Sequence, residues 1–464
     1  MSSNHTLSYE HPFPADFVWG VATSSFQIEG AAHKDGKGPS IWDTFCETPG
    51  NITDGSNGLI ACEHYDRYQQ DIDLIASLGV NAYRFSISWP RVQPLGSGAF
   101  NEAGLAFYER LVDGLLAKGI TPFVTLNHWD LPQALQDQGG WENRDTVHHF
   151  VDYALGIFAR LGNKVGAYTT HNEPWVIAIL GNESGIFAPG IKSRATAMQV
   201  SHHLLLSHGL ALQAMRDKGC TQPLGIVLNL SPTVPATDSP QDVAKARLED
   251  GRLLRWYMDP LFNKSYPQDV LDALGEDAPH ILPGDLDTIG TPMDYLGVNY
   301  YTRSVVSADG SWSPKNSGLP LNDMDWEIYP QGLTQLLVRM KRDYAIPPVY
   351  ITENGGAFPD PLTATGVHDH DRVKYIDQHI AALGDAMAQG VPVHGYMVWS
   401  LLDNFEWSSG YAKRFGIIHV DYDTQQRTYK DSAHWYKNFL AHQKQLNKPE
   451  SACTTETTTA TGVV

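Results

Sequence analysis

The chain has 464 residues, a formal net charge of −19, and 42% hydrophobic against 18% charged residues. That is the balance of a soluble globular protein long enough to bury a large core. Its acidity excludes nucleic acid and anionic membrane as partners, since both would be repelled, and leaves a neutral or cationic small molecule.

The opening stretch, MSSNHTLSYEHPFPADF, has no basic run leading into an apolar one, and no later segment is long enough to span a bilayer, so a cytoplasmic protein is expected. FVWGVATSSFQ reads as a first strand ending in Gln27. Tyr65, Tyr68, Ile72, Ile75 and Leu78 then keep helical spacing, Gly79 stops the helix, and VNAYRFSISW follows as a strand bearing Arg84 and Trp89. The same grammar returns with Leu105, Tyr108, Leu111, Val112 and Leu115 before Gly119 and ITPFVTLNHW, which ends in His128 and Trp129. It returns again with Phe150, Val151, Ala154, Phe158 and Leu161 before Gly162 and VGAYTTHNEP, which ends in Asn172 and Glu173. LGIVLNLSP and MDYLGVNYY add strands ending in Asn229 and in Asn299 with Tyr301. Leu333, Leu336, Leu337 and Met340 precede PPVYITENG with Glu353; Val373, Ile376, Ile380, Leu383 and Met387 precede Gly390 and VPVHGYMVWSLLDN with Trp399.

Short apolar strands alternating with amphipathic helices imply a parallel sheet covered by helices. Eight such units closing on themselves form a single (β/α)8 TIM barrel, with all the polar strand ends at one mouth. An open doubly wound sheet fits less well, because no glycine-rich phosphate turn follows the first strand. No linker divides residues 1–445, and 303–330 reads as a long strand-to-helix loop. From residue 446 the chain turns Thr-rich, and a disordered tail is expected over 446–464.

Cys46, Cys62, Cys220 and Cys453 lack CxxC spacing, so neither a disulfide framework nor a thiolate zinc site is indicated, and a reducing compartment fits. His64, His148, His149, His202 and His203 have no carboxylate at metal-like spacing, so no metal is assigned.

The barrel brings Glu173 and Glu353 to opposite sides of one pocket, the arrangement that glycoside hydrolysis needs: one carboxyl protonates the leaving oxygen while the other attacks or directs water at the anomeric carbon. Each has a plainer reading, Glu173 as a hydrogen-bonded core or helix-start acid and Glu353 as a turn residue. Gln27 and Asn172 could equally cap helices, His128 and Trp129 could be a packed pair, and Trp399 could fill the barrel.

Four motifs in order, FVWGVATSSFQIEGA, NEP at 172–174, ITENG at 351–355 and WSLLDNFEW at 399–407, resemble glycoside hydrolase family 1. The resemblance implies a retaining β-glucosidase without cofactor, acting on cellobiose, cello-oligosaccharides and aryl β-glucosides, whether monomer or homo-oligomer. It implies Glu353 as nucleophile and Glu173 as acid and then base, about 5–5.5 Å apart, with Arg84 and Tyr301 orienting the nucleophile. Gln27, His128, Asn172, Glu406 and Trp407 would bind the glycone over Trp399, and Trp129 and Asn299 would line the same mouth. Trp175 would carry the aglycone, with Leu180 narrowing the entrance. His171 and Asn182 depart from the family pattern and put the aglycone side in question.

Two other readings share these features: a catalytically inactive sugar-binding protein and a 6-phospho-β-glycosidase. In phospho-specific relatives a serine, a lysine and a tyrosine bind the phosphate, and here Glu406, Lys413 and Phe415 stand at those positions. Rejection of 6-phosphoglucosides is therefore expected, on the premise that Glu406 is a carboxylate repelling the phosphate.

Overall fold

The computed structural model describes residues 11–448. Strands β1 (Val18–Ala22), β2 (Ala82–Ser86), β3 (Thr121–Asn127), β4 (Ala167–Asn172), β5 (Leu224–Asn229), β6 (Tyr295–Asn299), β7 (Val349–Asn354) and β8 (Val393–Trp399) close into one barrel. All neighbours are parallel and follow chain order, and β1 closes the ring by pairing Val18 with Gly395 of β8 and Gly20 with Ala82 of β2. The eight strands are those the apolar runs predict, each shorter than its quoted stretch.

Helices α1 (His64–Leu78), α2 (Glu102–Ala117) and α3 (Asp145–Leu161) cover the first half. They are followed by α4 (Arg194–Asp217), α5 (Pro240–Asp250), α6 (Gln331–Asp343), α7 (His370–Ala388) and α8 (Asp431–Leu446). Gly79 takes φ +80° at the end of α1, where a side chain would be strained, which is why the helix stops there. The main core lies between barrel and helices; a smaller cluster, including Ala22, Ala82, Phe123, Ala167, Tyr295 and Met397, fills the lumen below the mouth. Of the tail expected from residue 446, Leu446 closes α8, and residues 449–464 lie outside the described residues. Cys453 is among them.

Two sequence expectations are corrected here. Trp89 does not end a strand at the mouth: it opens a one-turn helix, Trp89–Val92, and stacks on Tyr153 of α3 at 4.7 Å and 12°. Gln27 likewise sits in a one-turn helix, Ser25–Ile28, so its side chain is a turn beyond the end of β1.

Among the described residues, no helix is long and apolar enough to cross a membrane, and no group of three or more His, Cys, Asp or Glu is placed to hold a metal ion. The α4 histidines are spent on structure. His202 bridges Asp285 (2.9 Å) and Tyr266 (3.0 Å), and His203 meets the Trp141 carbonyl at 2.9 Å.

Candidate active site

The strand ends converge on a cavity of about 230 Å3. Its wall includes His128, Trp129, Glu173, Trp175, Leu180, Asn229, Asn299, Tyr301, Glu353, Trp399, Glu406, Trp407 and Phe415. Thirteen positions singled out in the sequence thus share one pocket; the His128 and Trp129 rings also pack on each other at 4.9 Å, and Trp399 belongs to the lumen cluster as well as to the pocket wall. Arg84, Asn172 and Gln27 stand behind that wall.

Both carboxyls follow irregular pairing. The β4–β5 register slips between Thr169 and Asn172, and the β6–β7 register slips between Val298 and Asn299, so that Asn299 lies opposite Glu353. Such a slip re-aims the side chains after it. In β4 it turns both Thr170 and His171 to α4, where they meet His208 (2.8 Å) and Ser207 (2.8 Å), and leaves Asn172 and Glu173 at the barrel mouth. Glu173 also holds the left-handed φ of +50°, a conformation costing about 1–3 kcal/mol that recurs at functional positions. Its amide is tied to the Val227 carbonyl at 2.9 Å.

The two acids, 4% and 3% exposed, are solvated differently. Glu353 Oε1 accepts from Arg84 Nη1 at 2.6 Å and Oε2 from the Tyr301 hydroxyl at 2.6 Å. Burial raises its pKa, and Arg84, Tyr301 and Asn299 oppose the rise. Among the described residues Glu173 has one donor, Asn299 Nδ2 at 2.7 Å. Burial first, and then the charge of Glu353, hold its carboxyl well above the ordinary range. A proton entering this pair therefore settles on Glu173, which yields a neutral acid facing a charged carboxylate.

Asn172 keys the layer beneath. Its Oδ1 accepts from Arg84 Nη2 (2.6 Å) and Asn299 (3.1 Å), which fixes its Nδ2 toward His128 Nε2 at 3.2 Å. Burial, then Arg84, push the His128 pKa well down, so the ring is neutral and its proton belongs on Nδ1, an atom with no partner among the described residues. The ring lies nearly parallel to Trp399 at 5.8 Å and Trp407 at 6.0 Å. Gln27 differs from the other expected contacts: Nε2 donates to Asn404 (3.0 Å) and the Phe405 carbonyl (2.8 Å), and Oε1 accepts from Ser24 (2.6 Å). It props the segment that presents Glu406.

That segment is anchored by Asp403, which accepts from Lys430 Nζ (2.7 Å), Arg414 Nη1 (2.7 Å) and the Gly416 amide (3.0 Å). Glu406 is thereby held over the cavity, and burial together with the charge of Glu353 pushes its carboxyl up to about 8. The premise of a charged Glu406 at neutral pH is thus corrected: the residue is half-buried, but its Oε2 is enclosed and unpartnered among the described residues. Lys413 does not face the cavity; it donates to the Asp323 carbonyl. The question raised by His171 and Asn182 is also answered. His171 stacks on Phe150 at 4.3 Å, Asn182 donates to the Ile177 carbonyl at 2.8 Å, and neither lines the pocket.

Phe187, Met324 and Trp326 line the pocket without having been singled out in the sequence. Trp326 comes from the long loop after β6, where no periodicity marks it; its ring lies 5.6 Å from that of Tyr301.

Below Trp129, Asp130 is 1% exposed and Oδ2 accepts from Ser25 at 2.9 Å. Burial, opposed by that bond, pushes its carboxyl up to about 7 from the ordinary 3.8. Between these values the folded chain keeps a proton that the unfolded chain has lost, so this group makes stability fall as pH rises. Asp130→Asn is expected to raise stability at pH 8 by on the order of 2–4 kcal/mol, with no gain near pH 4. Denaturant midpoints of both proteins at the two pH values check this; coincident midpoints at pH 8 exclude it.

A family model for Glycosyl hydrolase family 1 matches residues 9–445. "Beta-glucosidase A" of Acetivibrio thermocellus is 46% identical over 92% of this chain and 98% of its own. "1,4-beta-D-glucan glucohydrolase" of Thermotoga neapolitana is 44% identical over 92% and 98%. The crystal structure of the β-glucosidase from Exiguobacterium antarcticum B7 superposes with a TM-score of 0.91 at 45% identity, covering 94% of this chain and 99% of that one. With the barrel, the paired buried carboxyls and a match over nearly the whole length, the chain belongs to glycosyl hydrolase family 1.

Proposed function

We propose that the protein is a retaining β-glucosidase that releases the terminal non-reducing glucosyl unit of cellobiose, short cello-oligosaccharides and aryl β-glucosides. The observation that carries the reading is the unequal solvation of two buried carboxyls on one pocket: Glu353 held by Arg84 and Tyr301, Glu173 by Asn299 alone. The names of the relatives support the β-glucosidase assignment.

In the first step a Glu353 oxygen attacks the anomeric carbon as Glu173 gives its proton to the glycosidic oxygen, and the alcohol leaves. Arg84 and Tyr301 keep Glu353 ionised and aimed. Esterification removes the negative charge that helps to raise the Glu173 pKa, so Glu173, now ionised, becomes a base. It takes a proton from water, the oxygen attacks the anomeric carbon, and Glu353 departs as a carboxylate. Configuration is inverted twice and so retained. His128 Nδ1 and Glu406 offer polar partners to the sugar hydroxyls, and Trp399 covers its C–H face. A sugar-binding protein without catalysis would not need this division between a protonated and an ionised acid.

A cytoplasmic location belongs to this reading and is supported by Cys46, Cys62 and Cys220, which are free thiols.

The test is a 2-deoxy-2-fluoro-β-glucoside with a good leaving group: it should inactivate the enzyme and label Glu353 in a peptide map. A label on any other residue rejects the assignment. Glu173→Ala should lose about 10²–10⁴-fold on cellobiose but far less on a dinitrophenyl glucoside, whose leaving group needs no proton. Azide should speed turnover of the latter only. Equal losses on both substrates, without an azide effect, would remove Glu173 from the acid role.

A further inference from the structure

Behind the segment that carries Glu406 lies a chain of charged side chains closed to solvent. Lys430, the residue just before α8, donates to Asp403 at 2.7 Å and also to Asp360. Arg372, in the first turn of α7, holds Asp360 with two bonds of 3.0 and 2.7 Å and reaches Asp369 as well. The side chains of Asp403, Lys430, Asp360, Arg372 and Asp369 are fully buried. Arg414, which donates to Asp403 at 2.7 Å, forms the rim and is 23% exposed. Three carboxylates meet three cations, so the cluster carries no net charge.

The cluster joins two loops that the reaction uses. Asp360 and Asp369 belong to the loop between β7, which ends in Glu353, and α7; Asp403 and Arg414 belong to the loop between β8 and α8, which bears Glu406, Trp407 and Phe415. The backbones meet there too: the Arg414 carbonyl accepts from Arg372 Nη2 at 2.7 Å and from the Phe358 amide at 3.3 Å. A Cβ on Gly416 would stand 2.0 Å from the Asp403 amide nitrogen, and one on Gly355 would stand 1.7 Å from the Trp399 carbonyl oxygen, so neither loop has slack against the other. Replacing a buried ion cluster by apolar side chains of equal volume is often neutral or stabilising, which makes stability alone a weak account of this one. Directional bonds do what apolar packing would not, and fix where each loop stands.

We infer that Lys430 is a positioning residue for sugar recognition: bonded to both loops, it sets the place of Glu406 relative to Glu353, although it is no part of the cavity wall. The inference rests on the β-glucosidase reading and deepens it, by assigning a remote determinant of how the sugar is held. A displaced Glu406 loses a hydrogen bond to a sugar hydroxyl that persists in the transition state, and the loss is read in kcat/KM.

The experiment is a double-mutant cycle on kcat/KM for p-nitrophenyl β-glucoside, built from Lys430→Met, which keeps most of the side-chain volume, and Glu406→Ala. Glu406→Ala should cost about a hundredfold and Lys430→Met at least about tenfold. The double variant should fall within about threefold of Glu406→Ala alone, because a contact already removed cannot be misplaced. Independent effects would multiply to about a thousandfold. That result, or a Lys430→Met variant that melts lower yet keeps the wild-type kcat/KM, overturns the inference and leaves the β-glucosidase reading standing. If Lys430→Met does not fold, Arg414→Gln takes its place in the cycle, since it removes one of the three donors to Asp403 from the rim of the cluster. A loss of at least about threefold that disappears in the Glu406→Ala background supports the inference; equal losses in both backgrounds, or none in either, overturn it. A wild type inert toward p-nitrophenyl β-glucoside overturns both readings.

Discussion

Glu353→Ala is expected to lower kcat on aryl β-glucosides by on the order of 10⁴ or more, the scale of losing a covalent nucleophile. The variant also strands Arg84, which is 1% exposed and donates to Glu353 at 2.6 Å; removing one partner of a buried pair costs about 3–5 kcal/mol. Glu353→Gln is therefore the companion, since its amide oxygen can still accept from Arg84 or Tyr301. Both variants should lose turnover, but only the Ala variant opens space for a small nucleophile. Azide added to Glu353→Ala should restore cleavage of a dinitrophenyl glucoside and give the α-glucosyl azide, because it attacks from the face that Glu353 occupied. Azide added to Glu173→Ala should give the β-anomer, since it attacks the glycosyl ester from the opposite face. NMR of the two products decides this. A β-azide from the Glu353 variant, or kcat within tenfold of wild type, would show that the two acids are assigned the wrong way round or that attack is not covalent.

The barrel is legible in the sequence because its strands are short apolar runs and five of its helices bury a periodic apolar stripe. Helix α4 is not, because its buried face carries Ser201, His202, His203, Ser207 and His208, polar groups whose partners become visible only in three dimensions. The carboxyls and most of the mouth were legible for a chemical reason: acids, amides and indoles at the ends of apolar strands have no cheap place in a core. What could not be read is direction. Thr170 and His171 both face α4 because the β4 register slips, and period-two alternation would have sent one of them to the barrel interior. Gln27 lies beyond a strand that ends at Ala22, and its donors are taken by a segment nearly 380 positions away. The protonation of Glu406 depends on how that segment encloses its Oε2, a property of the packed mouth rather than of any motif.

That protonation changes the physical ground for excluding 6-phosphoglucosides but not the exclusion. At pH 7 Glu406, pushed up to about 8, is mostly neutral, so the first obstacle is desolvation. A sugar phosphate is dianionic at pH 7, and among the described residues the cavity offers it no free cation: Arg84 is spent on Glu353 and Asn172, Lys413 on the Asp323 carbonyl, and Phe415 has no hydroxyl. An unpaired buried charge costs several kcal/mol, so kcat/KM for p-nitrophenyl β-glucoside should exceed that for its 6-phosphate by at least ~10³ at pH 7, as ~4 kcal/mol implies. Above pH 8 Glu406 ionises and adds repulsion of about 4 kcal/mol per pair of charges at 4 Å and an effective dielectric of 20. The fraction of neutral Glu406 falls about tenfold between pH 7 and 9, so the ratio should climb by up to about tenfold over that range. Ionisation of Glu173 affects both substrates alike and cancels in the ratio. Glu406→Gln should abolish the climb while leaving the discrimination at pH 7 largely in place. Comparable rates on the two substrates at pH 7 would move the protein to the phospho-glycosidase branch; a ratio flat through pH 8 would mean that Glu406 does not titrate against the 6-position.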